Sequence, residues 1–91
     1  MNESLNSYVE NLYKLEDGHA EALEFYIKED SAVTNVHLHR RHIRKTILVC
    51  SIVRGGQAII PSGQEELHVG DYVVVVLTHA RLNDIKDIIE G

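Results

Sequence analysis

Cysteine is nearly absent from this 91-residue chain, and the single thiol, Cys50, excludes an internal disulfide. Cys50 lies inside the most apolar stretch, where a buried structural thiol is expected rather than a reactive one. No apolar run approaches the ~20 residues needed to cross a bilayer, and residues 1–15 lack the basic start and apolar centre of a signal peptide. A cytoplasmic protein is expected. Proline occurs once, at Pro61, and neither a repeat nor a low-complexity linker interrupts the chain. Its length suits one domain burying roughly 60 to 65% of its unfolded surface, a modest core that a second copy would reinforce.

Acidic residues are missing from one block. All fourteen lie outside residues 31–64, whereas Arg40, Arg41, Arg44, Lys45 and Arg54 fall inside it, so a block of +5 sits within a chain of net charge −5. Such asymmetry places an anion-attracting face on an otherwise acidic module, or else a solvated loop and strand end. The basic block has no interleaved aromatics, which argues against nucleic acid.

The usual catalytic patterns are also lacking. The glycines form neither a P-loop nor a Gly-x-Gly-x-x-Gly turn, so no nucleotide-cradling helix start is expected. Cys50 and Ser51 sit on a strand rather than a nucleophile elbow, and the paired acids (Glu16-Asp17, Glu29-Asp30, Glu65-Glu66) sit in turns. No catalytic residue is assigned, and the chain is read as non-enzymatic. His37, His39 and His42 invite a metal reading, because i, i+2 and i, i+3 spacings share strand and helix faces respectively. Four neighbouring cations, the absence of a carboxylate or thiol in the segment, and the two incompatible spacings argue against it; no metal ligand is assigned.

What remains is scaffold. Leu23, Phe25 and Ile27 alternate with Glu24, Tyr26 and Lys28 after Asp17-Gly18, a two-residue type I′ hairpin signal. The preceding arm, Tyr8 to Leu15, fits a strand, although Leu5, Tyr8, Val9 and Leu12 also fit a helical stripe. Residues 1–7 read as a frayed lead-in to a domain spanning 8–91. Leu38 to Ile43 has room for a short helical turn. Ile47 to Val53 reads as a central strand covered on both faces, turned back by Gly55-Gly56 onto Ala58 to Ile60 and ended by Pro61. A loop, Ser62 to His68, leads to the β-branched strand Tyr72 to Leu77. Thr78 then caps a predicted helix with Leu82, Ile85, Ile88 and Ile89 on one face. The expected fold is α+β: a small mixed or antiparallel sheet of about five strands, a C-terminal covering helix and one short helix.

The order Ala20-Glu21-Ala22-Leu23-Glu24-Phe25, Leu38, Ile47-Leu48-Val49-x-x-Ile52-Val53-Arg54-Gly55-Gly56, Ile59-Ile60-Pro61-x-Gly63 and Val69-Gly70-Asp71-x-Val73-x-Val75 resembles the TrkA C-terminal (RCK C-terminal) domain over residues 8 to 90. The resemblance implies a regulatory, non-enzymatic homodimer in the cytoplasm, working with a Rossmann-type nucleotide-binding domain on the same or a separate chain. It would associate peripherally with a membrane-embedded potassium or other cation transporter or channel. Some members bind cyclic di-AMP across the dimer through an Ile-Arg pair, an Asn and an aliphatic residue on the next strand, and a Pro after the hairpin. Ile43, Arg44, Val49 and Pro61 match these positions. Leu48 stands in the place of the Asn, and the loop before the strand is about two residues shorter. Asn35, His37 and Arg41 stand where glycine, proline and an apolar residue are usual. The resemblance thus implies a small anionic ligand, cyclic di-AMP or another nucleotide; the alternative is a structural dimerisation module without a ligand.

Overall fold

In the computed structural model, which describes residues 5–90, one antiparallel sheet organises the chain. Its strands are β1 (Ser7–Leu15), β2 (Ala20–Ile27), β3 (Ile47–Arg54), β4 (Gln57–Ile59) and β5 (Tyr72–Leu77), in the order β1-β2-β5-β3-β4. The ambiguous first arm resolves as a strand. β1 is extended and pairs with β2 from Ser7↔Ile27 to Leu15↔Ala20. Asp17 and Gly18 take positive φ values of 57° and 89°, with the His19 N–H donating to the Glu16 carbonyl at 3.1 Å, as the Asp-Gly signal requires. Gly55 and Gly56, also at positive φ, join β3 to β4 in the same way.

Antiparallel pairing puts opposed residues on the same face. Leu23, Phe25 and Ile27 therefore join Val73, Val75 and Leu77 and, on β3, Ile47 and Ile52; these are buried, and the half-buried Val49 packs against them. Two long connections and the C-terminal segment cover that face, contributing Val33, Leu38, Leu67, Leu82, Ile85 and Ile88. The opposite face stays open. Tyr8, Tyr26 and Tyr72 form a cross-strand row there, with ring centroids 5.6 and 5.0 Å apart.

Four expectations need correction. First, among the described residues no C-terminal helix covers the sheet. The only helical turn there is a 3-10 turn over Ile85–Ile88, so the covering layer is made of loops. Residues spaced i, i+3 also superpose on a 3-10 turn, so Ile85 and Ile88 face the core without an α-helix. The β-branched Ile88-Ile89 pair and Asn83-Asp84 disfavour a longer one, and Ile89 leaves in extended conformation to pair with Ile43. Second, β3 is covered on one face only: Leu48 is 63% exposed. Its continuous apolar run reflects β-propensity on an open face as much as burial. Third, Cys50 is half-exposed, because a bulge between Val49 and Ser51 takes it out of register. Fourth, Ser7, expected in the lead-in, is fully buried as the first residue of β1; residues 1–4 of that lead-in lie outside the described residues. Asn35, where glycine is usual in the resembling family, has φ 60°, a left-handed position that asparagine tolerates better than most residues.

Candidate ligand groove

Between the short 3-10 turn at Leu38–Arg40 and the start of β3, the chain runs extended beside the C-terminal segment. The Arg44 N–H donates to the Ile88 carbonyl at 2.8 Å, and the Glu90 N–H donates to the His42 carbonyl at 2.8 Å. Arg44 Nη1 also donates to the Asp87 carbonyl at 3.3 Å. These bonds fix the backbone of residues 42–44, so Ile43 turns toward the core while the Arg44 side chain lies along the rim.

From the other side comes the loop after β4. The Leu38 N–H donates to the Glu65 carbonyl and the His39 N–H to the Gly63 carbonyl, both at 2.9 Å. Two imidazoles tighten this clasp: His39 Nδ1 lies 2.7 Å from the Gly63 carbonyl and His37 Nδ1 lies 2.5 Å from that of Gln64. A carbonyl oxygen only accepts, so both rings carry their proton on Nδ1. The rings stack at 5.6 Å. They hold a loop rather than converge on an ion, and among the described residues no group of three or more His, Cys, Asp or Glu side chains is arranged for a metal.

The outcome is a groove of about 400 Å³ in which all four sequence-assigned residues, Ile43, Arg44, Val49 and Pro61, line one space. Leu48 lies at its rim. Arg41, which stands where the family usually has an apolar residue, and Lys45, counted in the sequence only as part of the basic block, line it too, and no acidic side chain does. Among the described residues none of Arg41, Arg44 and Lys45 makes an ion pair, so their charge is open to an incoming anion. Leu38, Ile43, Val49 and Pro61 supply apolar walls. The lining thus combines apolar contact surface with positive charge.

Gly63 sets how closely the loop approaches. A Cβ there would stand 2.9 Å from the Cβ of His39, an atom that cannot swing aside. Gly63→Ala should therefore lower unfolding free energy by about 1–2 kcal/mol, read as a lower urea midpoint at unchanged slope. An unchanged midpoint would show that the clasp gives way freely.

Arg54, the fifth cation of the basic block, does not belong to the groove. Its Nε and Nη2 donate to the two carboxylate oxygens of Asp71 at 2.9 and 2.8 Å, Nη2 also donates to the Glu66 carbonyl at 2.8 Å, and Nη1 faces Glu65 at 3.4 Å. The Asp71 hydrogen bonds push the guanidinium further above its already high ordinary range. Its charge is used internally, and pairing across 17 residues left no local spacing by which to find it.

No curated protein matches the chain at a significant level. A profile of the TrkA-C domain matches residues 22–90, most of the chain including the whole groove, and the protein belongs to that family.

Proposed function

We propose that this domain is a non-enzymatic sensor, in which a small anionic ligand of the cyclic di-AMP type binds the groove formed by Ile43, Arg44, Val49 and Pro61. Family membership supports the coarser assignment, a regulatory domain of a potassium transport system. The observation that carries the finer reading is a groove with three unneutralised cations, apolar walls and no acid. Arg44 would make charge-assisted bonds to a phosphate, with Arg41 and Lys45 adding field, while Ile43 and Pro61 pack against a base. Two copies meeting across their grooves would place two Arg44 side chains around one ligand. Binding would then bias the arrangement of a cytoplasmic homodimer, and a Rossmann-type domain would pass that bias to a membrane-embedded cation transporter or channel.

Calorimetric titration with cyclic di-AMP tests this. Binding is expected, and Arg44→Ala should weaken it at least about tenfold, the loss of one charge-assisted hydrogen bond. Absence of heat up to ~100 μM with cyclic di-AMP and with other nucleotides would leave a structural dimerisation module instead.

A further inference from the structure

The edge of the sheet opposite the groove carries a feature that ligand sensing does not use. β1 has β2 as its one neighbour in the strand order, so its outer row of N–H and C=O groups faces away from the sheet. Apart from Ser7 every residue of β1 is exposed, including Leu12 at 51% and Tyr13 at 56%. Beyond the bulge between Val9 and Asn11 this edge runs without proline and displays Leu12, Tyr13 and Leu15, a template for another strand. It also lies wholly outside the span matched by the family profile.

We propose that β1 pairs with β1 of a second copy, antiparallel about a twofold axis through Leu12, joining two sheets into one of ten strands. The sequence of the edge selects both occupant and register. With Leu12 opposite Leu12 of the partner copy, Glu10 of each copy faces Lys14 of the other, and Asn11 faces Tyr13. Centring on Tyr13 would set Glu10 against Glu16, and centring on Asn11 would leave both charges facing apolar or aromatic residues. Registers shifted by one residue would turn core-side residues to the open face and are excluded. The bulge between Val9 and Asn11 keeps Glu10 on the side of Leu12 and Lys14, so the charged pair and the leucine pair share a face. The two Tyr13 rings come within diagonal reach on the other face. A twofold pairing of this kind is closed, satisfying both β1 edges at once. It is independent of the groove, which lies toward β3 and β4.

Cross-linking tests the register directly. In a Cys50→Ser background, Leu12→Cys should oxidise to a covalent dimer, because directly opposed residues stand within disulfide reach. Asn11→Cys, whose own copy is offset by two residues, should link at least about tenfold more slowly. Glu10→Lys puts like charges opposite each other twice and should slow cross-linking through Leu12→Cys about tenfold, while Glu10→Lys with Lys14→Glu should restore it. Both positions are exposed, so folding is preserved. Failure of Leu12→Cys to link, equal linking at both positions, or no rescue by the charge swap would overturn the proposal, including the case in which dimers form elsewhere or another segment covers β1.

Discussion

Arg54→Met should cost about 2–4 kcal/mol of stability, at the lower side of the range for breaking a buried ion pair because the guanidinium itself is partly exposed. Asp71 is 1% exposed, and it accepts two bonds from Arg54 and one from the His68 N–H at 2.8 Å. Methionine replaces the stem but leaves that carboxylate buried with one donor. It also frees the Glu66 carbonyl, loosening the loop that carries Leu67 into the core. Arg54→Lys should recover only part of the loss, since an ammonium cannot match the two-pronged contact. Because the Arg54 value is raised by Asp71, its stabilisation is fully present across neutral pH, and on the alkaline side it is lost only as pH rises through the folded value. The penalty should therefore be constant across neutral pH. Urea midpoints for the wild type and both variants measure this; equal losses for methionine and lysine would show that geometry is unimportant.

The second large effect is expected at Asp84, also 1% exposed. Its carboxylate accepts from the Asn6 N–H at 2.6 Å, the Ser7 hydroxyl at 3.1 Å and the Lys86 N–H at 3.3 Å, while the Ser7 oxygen accepts from the Ile85 N–H at 2.8 Å. One side chain thus caps the last 3-10 turn and ties it to the start of β1 across nearly the whole chain. Asp84→Ala strands several buried donors and should cost about 2–4 kcal/mol. Amide exchange of β1 and of residues 85–89 should accelerate together, because the same carboxylate holds both. Acceleration confined to residues 85–89 would reduce Asp84 to a local cap.

The strands were legible because alternation, Asp-Gly and Gly-Gly are local signals of pleat and turn. Residues 82–89 were misread because Ile85 and Ile88 satisfy both a helical and a 3-10 repeat, and the choice was made at a distance by Ser7 reaching the Ile85 N–H and by Ile43 bridging Ile89. Burial of β3 was overestimated because valine and isoleucine report strand propensity without reporting which face is covered. The groove residues were reached through family resemblance rather than spacing. Nothing local says that Ile43 and Pro61 approach each other; that proximity comes from the His37 and His39 clasp on the following loop. Arg54 was grouped with the wrong cations because net charge cannot tell a paired guanidinium from a free one.

Amide chemical-shift mapping with cyclic di-AMP is the most direct test of the groove as an anion receptor. The account predicts that perturbations concentrate on residues 38–49 and 61–63, leave the Arg54 and Asp71 amides nearly still, and require at least about tenfold more nucleotide in Arg44→Ala. Perturbations centred on the β1–β2 hairpin, or a spectrum unchanged at saturating nucleotide, would contradict it.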